Sequence, residues 1–381
     1  MSKYLLLLGT TPKLSLLEAK AVLAGQEVEL WDERLLATEL ESDQQAKQLQ
    51  QVLGGTVKIF KQITQVEPEI ELIEQAVVDY LSQSDERVKF GLISQAQDWK
   101  VVGPQPIKTK LKKLGQSSRY LTGGEWGLKA AILSHQPDAI DLVIVKHQEK
   151  AHLLKTVSIQ EIDDWTLRDR GKPYANRKKG MLPPKIGRIM VNLGLGHLPA
   201  AQDKESPILY DPYCGTGTVL IEGLMRGCQV VGSDLDAEAV AGTLENLYWL
   251  EKTYQRDFQY QVFQSDVAHA DQYNWQTKVD LIVTEPFLGK QTPKTKELDN
   301  IFTGLERMHL GAFKTWTQIL NYEATVVVIF PKVELSNHTY NLAGLIDKIV
   351  KYGYTLEVKP VDYYREKAVV QRQILVFKYK K

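Results

Sequence analysis

Cysteine is scarce in this chain of 381 residues, which contains only Cys214 and Cys228. Two cysteines are too few for a disulfide framework or, by themselves, for a zinc site, and the seven histidines show no metal-ligand spacing. Long apolar runs are missing as well. The longest, Leu5–Leu8 and Thr325–Phe330, fall far short of the roughly 20 residues that span a bilayer, and the first is too short for a signal peptide. We therefore expect a cytoplasmic protein without a metal or a membrane partner.

The chain also lacks a net charge, because 47 Lys and Arg residues balance 47 Asp and Glu residues. The distribution is uneven, however, with 18 basic and 8 acidic residues between Lys100 and Met190. This asymmetry indicates a basic face suited to phosphate groups, although scattered solvated charges would give the same count. The basic residues form two clusters, Lys108, Lys110, Lys112, Lys113 and Arg119, and then Arg168, Arg170, Lys172, Arg177, Lys178 and Lys179.

The first part of the chain differs in character from the second. Residues 1–165 mix strand-like and helix-like segments without a repeat, which favours an α+β fold; we divide them into a subdomain (1–65) and a domain (66–165). Residues 166–180 are basic, polar and interrupted by glycine and proline, a composition typical of a linker. A helix is predicted to begin near Pro183-Pro184, because proline is tolerated in the first turn. Residues 181–381 then form the last domain.

From Ile208 onward, strand-like and helix-like segments alternate regularly. This alternation predicts an α/β domain, in which helices cover both faces of a mostly parallel sheet. The last two strand-like segments, Tyr354–Pro360 and Gln371–Lys378, have no helix between them. They are therefore predicted to form an antiparallel hairpin at the edge of the sheet.

The first strand of this sheet leads into a glycine-containing turn, Asp211–Thr218. Gly215 and Gly217 allow the backbone to approach a ligand closely, because they carry no Cβ atom. In an open α/β sheet, nucleotides bind at this carboxyl end of the strand. The spacing differs from the Gly-x-Gly-x-x-Gly of dinucleotide enzymes, so the turn alone is a weak signal.

Acidic residues at the ends of the next two strands strengthen the signal. Asp234 follows the second strand, at a separation from Asp211 that suits hydrogen bonds from ribose hydroxyls. Asp266 follows the third strand, where a carboxylate can accept a hydrogen bond from an adenine amino group. Asp236 is predicted to cap the following helix instead. Acids at successive strand ends after a glycine turn indicate a site for an adenosyl group.

These segments resemble the cofactor motifs of amino-group methyltransferases, and more narrowly those of the THUMP-containing tRNA (guanine-N2) methyltransferases of archaea and eukaryotes. The motifs are Asp-Pro-Tyr-Cys-Gly-Thr-Gly-Thr at 211–218, Gly-Ser-Asp-Leu-Asp at 232–236 and Ser-Asp-Val at 265–267. Residues 172–193 are similar to the segment that precedes the catalytic domain in that family. Ser118–Ile159 is the best match to the THUMP signature.

The resemblance implies a Rossmann-like methyltransferase with a mostly parallel seven-stranded sheet, a THUMP-like RNA-binding region before it, and S-adenosylmethionine as the cofactor. It also implies tRNA as the partner, held through the basic regions Lys108–Arg119 and Arg168–Lys179. The implied cofactor-binding residues are Met181, Leu182, Pro183, Asp211, Pro212, Cys214, Gly215, Thr216, Gly217, Thr218, Asp234, Leu235, Asp266 and Val267.

The catalytic motif departs from the family pattern. After the fourth strand the family has Asp or Asn, two prolines and an aromatic residue, whereas this chain has Glu285-Pro286-Phe287-Leu288. The resemblance implies that the Glu285 carboxylate and the Pro286 carbonyl orient an exocyclic amine, and that Phe287 stacks on the flipped base. Glu285 is one methylene longer than the family's Asp, and the second proline is missing.

Three interpretations of this motif stay open. The first is methylation of N2 of a guanosine in tRNA. The second is methylation of another atom or base, as in an adenine-N6 nucleic-acid methyltransferase. The third is a degenerate homologue that binds RNA without catalysis.

Overall fold

The computed structural model describes residues 1–84, 86–95, 102–176, 181–199, 206–364 and 368–381. These residues group into two compact units, whose segments interleave along the chain. The first unit contains residues 1–12, 25–52 and 56–162. The second contains residues 13–24, 53–55 and 163–381. No helix among the described residues is long and apolar enough to cross a membrane.

The first unit is an α+β fold around one sheet. Its described strands lie in the order β2-β3-β1-β4-β8-β7-β5-β6, so one sheet spans both segments that the sequence analysis separates at residue 65. The elements up to this point of the chain are β1 (Ser2–Leu8), α1 (Pro12–Val22), β2 (Val28–Asp32), β3 (Leu35–Leu40), α2 (Asp43–Val52), β4 (Thr56–Val66), α3 (Ile70–Leu81), β5 (Val88–Ser94), α4 (Pro104–Lys113), β6 (Ser118–Tyr120), α5 (Ala130–His135), β7 (Ile140–His147) and β8 (Lys150–Ile159). Helix α1 belongs mainly to the second unit.

The second unit has a three-layer α/β architecture. Its sheet has the strand order β11-β10-β9-β12-β13-β16-β15, with the short β14 paired to β13. Helices α10 and α11 pack on one face, and α1, α7, α8 and α9 pack on the other. The remaining elements are α6 (Ile162–Thr166), α7 (Pro184–Gly196), β9 (Ile208–Asp211), α8 (Thr218–Met225), β10 (Gln229–Asp234), α9 (Ala237–Tyr254), β11 (Tyr260–Gln264), β12 (Val279–Thr284), α10 (Leu298–Trp316), β13 (Leu320–Glu334), β14 (Thr339–Tyr340), α11 (Ala343–Val350), β15 (Tyr354–Tyr363) and β16 (Gln371–Tyr379).

The sheet of the second unit is mixed, and the prediction of a mostly parallel sheet is wrong. Strands β9 to β12 pair in parallel with one another and with β13, because each is followed by a helical or long connection. Strand β13 pairs antiparallel with both β14 and β16, and β15 pairs antiparallel with β16. The hairpin predicted at the edge of the sheet is thus present, formed by β15 and β16. Its strand β16 pairs with β13 over residues 371–378.

The predicted linker is partly helical and partly buried. Helix α6 continues into a five-residue π-helical turn at Leu167–Gly171, and the side chains of Arg168 and Lys172 are buried. Their partners are polar groups of the second unit, which allows such a basic segment to lie inside the protein. Residues 177–180 lie outside the described residues.

A buried ion pair stabilises the first unit. The ammonium group of Lys58 on β4 donates to Asp141 Oδ2 at 2.8 Å and to the carbonyls of Trp126 and Leu128, both at 2.7 Å. Both charged side chains are at most 5% exposed, and burial lowers the pKa of Lys58. The pair holds the segment around Trp126 against the sheet.

We expect Lys58→Met to destabilise the first unit by roughly 3–5 kcal/mol, because the variant leaves the Asp141 carboxylate buried without a counter-ion. Lys61→Met on the same strand is the matched control. Lys61 pairs with Asp43 at the surface, and loss of such a pair changes stability by about 1 kcal/mol or less. Urea unfolding of both variants measures the difference. Equal losses of stability would contradict the role assigned to the buried pair.

Candidate active site

The carboxyl ends of three neighbouring parallel strands form the floor of one large cavity in the second unit. Strands β10, β9 and β12 lie side by side and end at Asp234, Asp211 and Thr284. Parallel neighbours place their carboxyl ends at one edge of the sheet, where ligands of open α/β sheets bind. The cavity has a volume of about 1600 Å³. It is lined by every predicted cofactor and catalytic residue except Gly217.

The glycine turn is held in one conformation by its surroundings. Gly215 and Gly217 have φ angles of +53° and +74°, which glycine adopts without the steric penalty of other residues. The Gly215 carbonyl accepts from the Thr243 hydroxyl at 2.9 Å, and the Thr216 carbonyl accepts from the Asn246 amide at 2.9 Å. Helix α9, which carries both donors, therefore fixes the backbone that faces the cavity.

Asp211 is the most deeply buried carboxyl group of the site. It accepts hydrogen bonds from the Thr284 hydroxyl at 2.6 Å and from the Tyr213 N–H at 3.1 Å. Burial, together with the nearby Asp234 and Glu285 carboxylates, raises the pKa of Asp211 to about 7. The strand ends thus concentrate negative charge beside the cavity, an arrangement that favours a cationic ligand.

Asp234 and Asp266 already make contacts with the backbone. Asp234 accepts from the N–H groups of Gly215 and Asp236, each at 3.0 Å, so it connects the glycine turn to the next strand end. Asp266 accepts from the Ala268 N–H at 2.9 Å and is otherwise exposed. Between these acids, the Leu235 side chain is 68% exposed on the cavity wall. The predicted cap is confirmed, since Asp236 accepts from the Glu238 N–H at the start of α9.

The variant motif predicted to be catalytic lines the same cavity. Glu285 follows β12 and accepts a hydrogen bond from Arg372 Nε on β16. Pro286 is buried, whereas the Phe287 ring is 63% exposed. Gly289, at a φ of +87°, lets the chain turn back over the side chains of α10. Glu285, Pro286 and Phe287 therefore line one cavity together.

Buried charges behind the glycine turn were missed by the sequence analysis. Glu222 of α8 is fully buried and pairs with Arg168 Nε at 2.8 Å and with Arg188 Nη2 at 2.7 Å. Lys172 donates to the Thr218 hydroxyl at 2.8 Å. Prediction of Arg168 and Lys172 as surface contacts for RNA is therefore wrong, because both side chains have partners inside the protein. A lone glutamate in the apolar helix α8 was the available signal, since a buried acid requires a cation.

The other predicted basic residues are divided between the two units. In the first unit, Lys112, Lys113 and Arg119 are exposed, while Lys110 pairs with Glu74 at 2.8 Å and Lys108 is half-buried. In the second unit, Arg170 is exposed and lines the cavity. Arg177, Lys178 and Lys179 fall outside the described residues.

We expect the free energy of unfolding to depend on pH through the Asp211 carboxyl group, and Asp211→Asn to remove this dependence. Because the pKa of Asp211 is raised in the folded state, its contribution to stability is greatest below the ordinary value of 3.8 and is lost as the pH rises through about 7. The wild type should therefore lose up to about 4 kcal/mol relative to the variant across this range. Urea unfolding of both proteins near pH 4 and near pH 8 measures this difference. An identical pH dependence of the two proteins would contradict it.

Comparison with known proteins identifies the second unit as a methyltransferase domain. Residues 175–330 match the UPF0020 family, described as an RMKL-like methyltransferase domain. Over its full length the fold is similar to the crystal structure of TrmN from Thermus thermophilus, with a TM-score of 0.56, 13% sequence identity and 99% of each chain covered. At that identity the likeness concerns the fold alone.

Proteins of similar sequence are named as tRNA (guanine-N2) methyltransferases. The tRNA (guanine(10)-N2)-dimethyltransferase of Methanocaldococcus jannaschii is 28% identical over 251 residues, which cover 63% of this chain and 68% of that protein. A protein of Methanothermococcus thermolithotrophicus, named "Probable tRNA (guanine(10)-N2)-dimethyltransferase", is 32% identical over 130 residues, which cover 32% of this chain and 70% of that protein. The chain is therefore an S-adenosylmethionine-dependent methyltransferase that belongs to the family of tRNA (guanine-N2) methyltransferases.

Proposed function

We propose that this enzyme transfers a methyl group from S-adenosylmethionine to the exocyclic N2 of a guanosine in tRNA. One observation supports this proposal most directly: the glycine turn and Glu285-Pro286-Phe287 line the same cavity. A cofactor site and an acceptor for an amine are thereby brought to one place. The relatives named for guanine-10 of tRNA suggest the same nucleotide as the target here.

The lining of the cavity fits the cofactor. The Gly215 backbone allows the methionine part to approach closely, and Asp234 and Asp266 supply acceptors for ribose hydroxyls and for the adenine amino group. Leu235, exposed between the two acids, offers an apolar surface to the adenine ring. The bound cofactor supplies an activated methyl group on a sulfonium, whose positive charge suits the carboxylates of Asp211 and Asp234.

The variant motif fits an exocyclic amine. A guanine N2 group has two N–H donors, and the Glu285 carboxylate and the Pro286 carbonyl are two acceptors on consecutive residues. Accepting both hydrogens directs the nitrogen lone pair at the methyl group, and such alignment lowers the barrier strongly. As the N–CH₃ bond forms and the S–CH₃ bond breaks, the nitrogen must lose a proton, for which Glu285 is the nearest acceptor that the motif offers.

Arg372 gives the Glu285 side chain a defined orientation. Its Nε donates to Oε1 of Glu285, and both side chains are largely buried, at 12% and 17% exposure. Oε2 has no hydrogen-bond donor among the described residues. We assign the amine to this second oxygen, since the ion pair then holds the carboxylate in place without occupying it.

We further propose that tRNA contacts the first unit, which we interpret as THUMP-like, through Lys112, Lys113 and Arg119. These cations are exposed, and phosphate contacts of this kind supply affinity and register without reading sequence. Among the described residues of the predicted second cluster, Arg170 is exposed and lines the cavity. The two cysteines are free and buried, in keeping with the cytoplasmic location that we propose.

The proposal is tested by incubating the enzyme with labelled S-adenosylmethionine and unmodified total tRNA, followed by mass analysis of the nucleosides. We expect the label in N2-methylguanosine or N2,N2-dimethylguanosine. Label in N6-methyladenosine would support the adenine alternative, and bound cofactor without any transfer to RNA would support a degenerate homologue. Either result would overturn the proposal.

We expect Glu285→Ala to lower the rate of methyl transfer at least about a hundredfold, because the amine loses an oriented acceptor. The affinity for S-adenosylmethionine should change little, since Glu285 is assigned to the acceptor side. Glu245→Ala, at an exposed position of α9, is the matched control and should retain full activity. Single-turnover rates together with calorimetry of cofactor binding separate these effects. An unchanged rate in the Glu285 variant would show that another group accepts from the amine.

Phe287→Ala should weaken the productive binding of tRNA, because an aromatic face contributes roughly 1–3 kcal/mol by stacking on a base. The expected result is a kcat/KM for tRNA lowered by about tenfold or more. Phe287→Tyr retains the ring and should retain most of the activity. If the Ala and Tyr variants lose equal activity, stacking is not the function of the ring.

A further inference from the structure

A buried ammonium group lies directly behind the cavity wall at the glycine turn. Lys172 is 4% exposed, and its Nζ donates to Thr218 Oγ1 at 2.8 Å and to Thr216 Oγ1 at 3.3 Å. Both threonines line the cavity, whereas Lys172 itself does not. Only the threonine hydroxyl groups thus separate its positive charge from a ligand at this end of the cavity.

No carboxylate of the described residues forms an ion pair with this ammonium group. Asp169 and Glu222 act on Lys172 from a greater distance, and Glu222 is already paired with Arg168 and Arg188. Burial lowers the pKa of Lys172 to about 8, so the group is still largely charged at neutral pH. A buried cation with only hydroxyl acceptors is costly, and an anion in the cavity would compensate it.

The two hydroxyl groups direct hydrogen-bond donors away from Lys172. An ammonium group can only donate, so each threonine oxygen accepts from it and each hydroxyl hydrogen points elsewhere. The two oxygens lie 3.5 Å apart, and their mutual contact can use one hydrogen only. The other hydrogen is available to an acceptor in the cavity. Lys172 thereby leaves the pair of threonines with a hydrogen-bond donor for the cavity.

The amino-terminal end of α8 is positive, as the Lys172 ammonium group is. The helix begins at Thr218 after Gly217, which provides no side-chain cap. The first N–H groups of a helix have no partners within the helix and carry a partial positive charge. The ammonium group, the hydroxyl hydrogen and the helix terminus therefore all favour an anion, while the carboxylates at the strand ends oppose one.

We propose that Lys172 is a positioning residue for the α-carboxylate of S-adenosylmethionine, acting through the hydroxyls of Thr216 and Thr218. This inference rests on the cofactor assignment under the proposed function. The carboxylate is the anionic group of that cofactor, and the adenosyl part contains no phosphate. Asp211 and Asp234 would repel the carboxylate from the strand ends, so the end of the cavity at Thr216 and Thr218 is the part that suits it.

The test compares two ligands that differ in this one group, S-adenosylmethionine and decarboxylated S-adenosylmethionine, by calorimetry on the full chain. The wild type should bind the first about tenfold or more tightly than the second, as expected when a hydrogen bond to a charged group is lost. Lys172→Met should remove this preference by weakening binding of S-adenosylmethionine alone. Lys172→Arg keeps the charge and should retain part of the preference.

The controls distinguish a carboxylate site from a structural brace. Lys252→Met, at an exposed position of α9, should leave both affinities unchanged. Thr216→Val removes one donor without removing the buried charge, and should reduce the same preference even if the Lys172 variant fails to fold. Equal weakening of both ligands, or no weakening of either, would overturn the proposal. These measurements contain no RNA, so a failure to methylate tRNA would be seen separately.

Discussion

The architecture of the catalytic unit depends on one set of buried ion pairs, in which the Glu222 carboxylate contacts two arginines. This carboxylate lies in α8, the helix that begins at the glycine turn, and it is shared by Arg168 and Arg188. One guanidinium comes from the π-helical turn before the catalytic domain, and the other from α7. Removing Glu222 would take away the carboxylate that both guanidinium groups share, and loss of a buried counter-ion destabilises a protein strongly. The pairing therefore fixes two segments, the π-helical turn and α7, against the helix that begins at the glycine turn.

Carboxylates also determine the electrostatics of the cavity. Burial is the main cause of the raised pKa of Asp211, and repulsion from the carboxylate at the end of β10 adds to it. A cationic sulfonium relieves this repulsion, whereas a neutral thioether does not. If the cofactor binds as proposed, the site is thus more complementary to the methyl donor than to the demethylated product. On the acceptor side, Arg372 offsets part of the charge of Glu285, whose carboxylate also contributes to the raised pKa of Asp211.

The predicted cofactor residues could be grouped from the sequence because their positions follow local rules, and their roles in binding stay predictions. The glycine turn, the acids at the strand ends and the cap at Asp236 each depend on a few neighbouring residues, and all but Gly217 of the predicted cofactor residues line one cavity. Prediction from the sequence failed where a residue's environment depends on distant partners. The basic segment around Arg168 has the composition of a linker, yet Glu222, 54 positions away, makes its burial favourable. Strand β6, with only three residues, has too little pattern to be recognised.

Helix α1 shows why a domain boundary cannot be placed from composition alone. Glu18 of this helix is fully buried, and it accepts from the N–H groups of Gly54 and Gly55 and from the side-chain amide of Asn192, 174 positions away. Asn192 in turn accepts from Arg226 Nε at 2.7 Å. Burial raises the pKa of Glu18 against the effect of these donors. A chain cut at residue 181 would lack the acid that accepts from Asn192, so the catalytic unit is complete only with two segments from the beginning of the sequence.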